Sequence, residues 1–368
     1  MRALAALFVL AVPVCAFPAG VYLWANGATL AGTALASVTA LAVLAAVGAA
    51  VPRARRGVAW SLALVVAADG AWVVARLAGR SAPPPGMQVC VNSDCGPRGS
   101  FWQLVPPEHE AARAGLYLAK LVGAMRGAEF DHFDRLLDTE YGRLTPAWRS
   151  LPNSLLMFSS PSRVEYLRWV PPGREHLRCL VFLHGFGGEL TPYLRAMVES
   201  PLGETSAALA PALDSVGWWP SERGLGVVRA LTDRYLPPQC DRDRVYLVGL
   251  SNGSIGAARI FSERAPRSAF RGAILVSGGG DFETEAPSET RWLFLTGAKD
   301  PRFGAEELRR IADGLARDGA AVMFQSIAGA DHFLLLTHQA EWTRAARDWL
   351  DANEPPGRGA RGSEADAP

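Results

Sequence analysis

Net charge is almost missing from this chain. Its 37 basic and 36 acidic side chains leave +1 over 368 residues, so there is no polybasic footprint for nucleic acid. Charge of either sign is sparse, at 20% of residues against 49% hydrophobic, a balance that excludes a mostly disordered chain. Lysine occurs only at Lys120 and Lys299; the bias toward arginine and alanine points to a GC-rich bacterial genome rather than to a function. There are five cysteines and six histidines, and no grouping of them has zinc-ligand spacing, so neither metal nor other cofactor is expected. Hydropathy is what the chain has in plenty: its mean is +0.09, high for a soluble enzyme.

The near-zero charge is a cancellation. Residues 1–80 hold six Arg, no Lys and one acid, Asp69, a net +5; the remainder holds 31 bases and 35 acids, a net −4. Three apolar runs, 3–24, 28–51 and 57–75, fill the first piece, each near the ~20 residues that cross a bilayer as a helix. Small residues Ala28, Gly32, Ala36 and Ala40 recur every four positions in the second run, suited to close helix contact in lipid or simply alanine-rich filler. Asp69, inside the third run, would face a partner or water if functional. Arg53, Arg55 and Arg56 separate runs two and three and hold that loop in the cytoplasm, which leaves everything after residue 80 outside it. The first run reads either as a retained span or as a cleavable signal peptide; both give the same topology. The expectation is a multi-pass protein of a bacterial inner membrane, with the bilayer as partner and the rest of the chain extracytoplasmic. Such a compartment permits disulfides, and Cys90 and Cys95 either close a small loop or stay as two thiols.

The domain reading is a membrane anchor over 1–80, a linker and helical segment over 81–155, a catalytic domain over 156–352 and a disordered tail over 353–368. Within 81–155, helices are expected at 107–126 and 130–137. From 156 on, strands at 164–170, 179–183, 207–210, 245–250, 273–277, 292–296 and 322–327 alternate with helices at 190–199, 224–235, 254–264, 305–318 and 337–352. That alternation predicts an α/β fold with a mainly parallel sheet flanked by helices, its strands buried on both faces.

Gly249-Leu250-Ser251-Asn252-Gly253 is a G-x-S-x-G turn between a strand and a helix expected to start near Ser254. Small neighbours are needed because the turn is strained and crowded, and it leaves the serine hydroxyl exposed at the carboxyl end of the sheet. A serine nucleophile needs a base, and the base needs an orienting carboxylate. Asp300 and His332 follow in that order, each just beyond a strand end; Asp281 is the rival acid and His338, expected within the last helix, the rival base. Upstream, His184-Gly185-Phe186-Gly187-Gly188 follows a buried strand. Backbone N–H groups of Phe186 and Asn252 would form an oxyanion hole, with His184, Gly185, Gly187, Gly249 and Gly253 structural around it. His109, His132 and His176 read as solvated. Trp218 and Trp219 either line an acyl or alcohol pocket or belong to the core.

These motifs resemble the α/β-hydrolase superfamily. Val170-Pro171-Pro172-Gly173, the 183–188 loop and the 249–253 turn look like secreted esterases of the polyhydroxybutyrate-depolymerase and feruloyl-esterase type, over about residues 160–350. Ser254 stands where a third small glycine is common. The resemblance implies that the strands beginning at Cys179 and just after Cys240 are parallel neighbours, and hence a Cys179–Cys240 disulfide. Only 14 residues separate the strands ending near 277 and beginning near 292, too few for a cap domain. An open cleft is therefore expected, partly screened by the 100–155 helices, with access for bulky or polymeric esters. The expected activity is a membrane-anchored serine hydrolase of carboxylic esters. A serine peptidase or an acyltransferase would use the same machinery, and an inactive binding protein would use the same fold.

Overall fold

The computed structural model describes residues 81–96, 107–123, 125, 127–213, 217–262, 269–280 and 290–353, with a few isolated positions before residue 80. The three apolar runs, Asp69, Arg53, Arg55, Arg56 and the tail beyond Asn353 lie wholly or almost wholly outside these residues. Among the described residues no helix is long and apolar enough to cross a membrane. The chain divides into two compact units, residues 1–83 with 98–153 and residues 84–97 with 154–368.

In the first unit, helices α1 (Glu108–Leu121), α2 (Gly127–Gly142) and α3 (Pro146–Arg149) are described. Glu108 and Glu110 in the first turn of α1 and Lys120 in the last complement its dipole. The Tyr117 and Phe130 rings meet edge to face with centroids 5.1 Å apart, and Tyr141 donates to the buried Glu108 carboxylate at 2.9 Å. His109 is not solvated. It is half-buried and packs on Tyr141 at 5.1 Å, and burial, then the charge of Arg113, lowers its pKa.

The second unit is a nine-stranded sheet of order β2-β1-β3-β5-β4-β6-β7-β8-β9. Its strands are β1 (Met87–Val91), β2 (Asp94–Cys95), β3 (Glu165–Trp169), β4 (Leu177–Leu183), β5 (Ser206–Pro211), β6 (Cys240–Leu250), β7 (Gly272–Val276), β8 (Arg291–Gly297) and β9 (Ala321–Ile327). From β5 to β9 every pairing is parallel, while β3 runs antiparallel to β5 and β1 antiparallel to β3. The helices are α4 (Thr191–Val198), α5 (Pro201–Thr205), α6 (Glu222–Arg234), α7 (Asn252–Ser262), α8 (Ala305–Arg317), α9 (Leu334–Thr337) and α10 (Gln339–Asn353). Every residue of β4, β5 and β7 is buried, as sheets covered on both faces require. Strand order and the strand–turn–helix at β6 make this an α/β-hydrolase fold.

The first strands lie in a segment expected to be linker. The β1–β2 hairpin is too short to show a period in the sequence, and its place is set by pairing with β3, as at Gln88–Arg168. The hairpin pairs Cys90 with Cys95 directly, and the two are joined as a disulfide. Cys179 and Cys240 are also joined, with a Cα separation of 5.7 Å, inside the range a disulfide spans. Leu177 pairs with Cys240, so this bond ties β4 to β6 at their amino ends.

The connections give the sheet its crevice. From β4 the chain moves outward to β5, then crosses back to β6 on the other side of β4 and continues through β7, β8 and β9. The reversal between β4 and β6 is the topological switch point, where open α/β sheets place their ligands, beyond the carboxyl ends of the strands.

Candidate active site

Both central loops leave the sheet at that switch point: the 184–188 loop from β4 and Ser251 from β6. Ser251 takes φ +51°, a left-handed backbone that costs a non-glycine residue roughly 1–3 kcal/mol. The turn around it is closely packed, and its N–H is tied to Val276 O. A Cβ on Gly253 would collide with the Leu183 carbonyl, and one on Gly249 with the Gly253 backbone. Helix α7 therefore presses against β4 and starts at Asn252, two residues before the expected position. Ser254 has a task that glycine would not fulfil. Its hydroxyl donates to the Gly249 carbonyl at 2.7 Å and accepts from the Val276 N–H at 3.1 Å, stitching β6 to β7.

The loops beyond the strands are sewn together in sequence. Ser251 N–H donates to Val276 O at 2.9 Å, Ser277 N–H to Leu295 O at 2.9 Å and Ala298 N–H to Ile327 O at 3.0 Å. Lys299 N–H then donates to Ala330 O at 2.8 Å. These bonds line up the loops of Ser251, Asp300 and His332 along one edge of the sheet.

His332 and Asp300 are bonded directly, Nδ1 to Oδ2 at 3.0 Å, and both side chains are buried. Because Nδ1 faces a carboxylate, it carries the proton, which leaves Nε2 as the basic nitrogen. The other Asp300 oxygen accepts the N–H groups of Arg302 at 2.8 Å and Phe303 at 3.0 Å. Burial alone would raise the Asp300 pKa; the hydrogen bonds from His332, Phe303 and Arg302, with the field of His332, outweigh it and hold the carboxyl below its usual range. The imidazole is gripped from two sides, stacked on Phe303 at 5.8 Å and edge-on to Phe333 at 5.6 Å.

The rivals fall elsewhere. His338 is not inside the last helix: it sits between α9 and α10, with Nδ1 engaged by the Thr337 hydroxyl at 2.8 Å. Asp281 lies outside the described residues. His176 is exposed, and His132 is half-buried in the first unit.

Around the 184–188 loop, the His184 Nε2 accepts the Leu213 N–H at 3.0 Å and its Nδ1 donates to Gly185 O at 2.7 Å. The ring is thus committed to backbone at both nitrogens. The indole N–H of Trp219 donates to His184 O at 2.9 Å, and Trp219 is 1% exposed. Trp219 is therefore an anchor in the core, without surface for a ligand, whereas Trp218 is 51% exposed. Gly187 and Gly188 take φ +113° and +83°, turning the loop over the edge of the sheet. Gly185 has no such need, since a Cβ there would make only ordinary contact with Leu250. Among the described residues, neither the Phe186 nor the Asn252 backbone N–H has an acceptor within the protein. Asn252 also anchors by its side chain, whose amide donates to Gly217 O at 2.8 Å. Among the described residues no group of His, Cys, Asp and Glu could hold a metal ion.

Sequence reasoning did not reach the bracing contacts made by Leu213, Trp219, Ser254 and the Arg302 and Phe303 backbone. Most are main-chain groups, which no residue type announces; only the polar Ser254 opening an otherwise apolar helix face offered a signal.

No protein-family model and no curated protein matches the chain. Among solved structures it is similar to a thermostable esterase, at 24% identity and TM-score 0.42, covering 52% of this chain and 59% of that one. It is also similar to a puromycin-hydrolyzing peptidase of Mycobacterium tuberculosis, at 17% identity and TM-score 0.41, covering 53% and 38%. A thermostable carboxylesterase cloned from a metagenomic library matches at 15% identity and TM-score 0.43, covering 52% and 86%.

Proposed function

We propose that this chain is a serine hydrolase of carboxylic esters, with Ser251 as nucleophile, His332 as general base and Asp300 as its orienting partner. One observation supports the reading above the others: a serine in strained left-handed conformation shares a sheet edge with a buried His–Asp pair whose second imidazole nitrogen is free to act as a base. In the proposed reaction Ser251 Oγ attacks the ester carbonyl as His332 Nε2 takes its proton. The carbonyl oxygen, now anionic, is met by the N–H groups of Phe186 and Asn252, which cost no reorganisation because they already lack partners. The tetrahedral intermediate collapses, His332 returns the proton to the departing alcohol, and an acyl-serine remains. Water, deprotonated by the same nitrogen, attacks it and restores Ser251. Asp300 stays ionised throughout and stabilises the imidazolium.

We also propose that residues 1–80 anchor the chain in a bacterial inner membrane with the catalytic unit outside the cytoplasm. The three apolar runs and the arginines between the second and third support this, and two disulfides in the catalytic unit suit an oxidising compartment. A fluorophosphonate probe applied to membranes tests the chemistry: the wild type is labelled and Ser251→Ala is not. Equal labelling of the two, or none of either, overturns it. A reporter active only outside the cytoplasm, fused after residue 352, tests the topology and should be active.

A further inference from the structure

Three Phe or Trp side chains are exposed among the described residues: Phe158 at 56%, Phe186 at 69% and Trp218 at 51%. All three are fixed to the same backbone hub at the carboxyl ends of β4 and β5. Phe186 is two residues beyond His184, whose ring binds Leu213. Phe158 precedes Ser159, whose N–H donates to Ala212 O at 3.3 Å. Its ring is covered by the Arg223 guanidinium at 4.3 Å, and Arg223 in turn donates to Leu213 O at 2.7 Å. Trp218 is flanked by two anchors, Gly217 O on the Asn252 amide and the Trp219 indole on His184 O. Its own carbonyl accepts the Ser221 hydroxyl at 2.6 Å.

Exposed aromatic rings leave a large apolar area in water, and a ring on a mobile loop could turn inward. Here the chain beside each ring is held by hydrogen bonds: Ser159 to Ala212, His184 to Leu213, and the residues flanking Trp218 to Asn252 and His184. Rigid exposed aromatic anchors with that geometry characterise binding surfaces. We propose that Phe158, Phe186 and Trp218 form one apolar platform beside the oxyanion hole, and that it selects esters whose acyl or alcohol part is apolar and of at least aryl size. The inference rests on the esterase reading and specifies its substrate class. Its occupant is the substrate rather than a separate partner, because the segment bearing Trp218 is hydrogen-bonded to Asn252, the residue that follows the nucleophile.

The experiment compares kcat/KM of the full chain, in detergent, on two soluble p-nitrophenyl esters, the acetate and the 3-phenylpropanoate, with alkyl and naphthyl acetates as the matching alcohol series. In Trp218→Ala and Phe158→Ala the preference for the bulky member of at least one series falls about tenfold or more, mainly through KM, and Trp218→Phe restores it. Met323→Ala, at an exposed apolar residue on β9, keeps the wild-type preference. A preference unchanged within about twofold in both alanine variants overturns the platform. So does a loss seen only when the ester is presented in phosphatidylcholine vesicles, which would mark a lipid-docking patch instead. Fluorophosphonate labelling of the wild type, run in parallel, separates this failure from that of the esterase reading.

Discussion

Asp300 has two jobs, one per oxygen: Oδ1 closes the turn at Arg302 and Phe303, and Oδ2 holds the His332 ring. Asp300→Asn should keep the turn but present an amide to Nδ1 and favour the wrong imidazole tautomer. The expected result is a loss of about 10³- to 10⁴-fold in kcat with little change in KM. The same carboxyl has a signature in stability. Its folded-state pKa lies below the ordinary carboxylate value, so the ionised form stabilises the fold fully above that value, and the stabilisation disappears as pH falls through the depressed one. Thermal unfolding between about pH 5 and about pH 2 should therefore show a shallower acid loss of Tm in Asp300→Asn than in the wild type. At Ser254, removal of the hydroxyl leaves the buried Val276 N–H without the acceptor it has now. Ser254→Gly should lower stability by about 1–3 kcal/mol, read as a shift of the urea midpoint.

At the scale of elements, the crossing of α7 over β4 decides where Ser251 stands. Gly253→Ala puts a methyl group against the Leu183 and His184 carbonyls, so the helix must move off the strand. About 1–3 kcal/mol of destabilisation is expected, together with loss of fluorophosphonate labelling, because the displaced helix takes the Asn252 N–H with it. The principal strands and helices of the second unit were legible in the sequence, since buried parallel strands read as unbroken apolar runs and the helices as amphipathic ones. The β1–β2 hairpin was not. Its alternation spans only a few residues, and its burial follows from partners about eighty positions away along the chain. The start of α7 was also misplaced, because Asn252 is drawn into the helix by close packing that only its glycine neighbours permit.

For the molecule as a whole, the Cys179–Cys240 bond closes a 61-residue separation across the two strands that lead into the 184–188 loop and Ser251. A Cys179→Ser, Cys240→Ser double variant should lose about 2–4 kcal/mol, measured by denaturant unfolding, and the wild type should lose at least as much on reduction, which opens the Cys90–Cys95 bond as well. The bond lies at the amino ends of β4 and β6, at the opposite end of the strands from Ser251, so labelling of the folded fraction of the double variant should persist.

Sequence alone pointed to the proposed chemistry and to the order of its candidate parts. A Gly-flanked serine, an aspartate and a histidine, each just past an apolar run, are local features that survive in a one-dimensional reading. It also revealed the unlike charges of the first 80 residues and the remainder, because charge and hydropathy add along a chain regardless of its folding. Tertiary structure decided what depends on distant partners. It set the hydrogen bond that selects Asp300 as the partner of His332, and it turned Trp219 inward as an anchor while its neighbour Trp218 stayed outside. It also gave His184 to the backbone of Leu213 and left the Phe186 and Asn252 N–H groups without an acceptor among the described residues. Each of those outcomes is a competition for space or for a hydrogen-bond partner, settled only when strands far apart in sequence come to lie side by side.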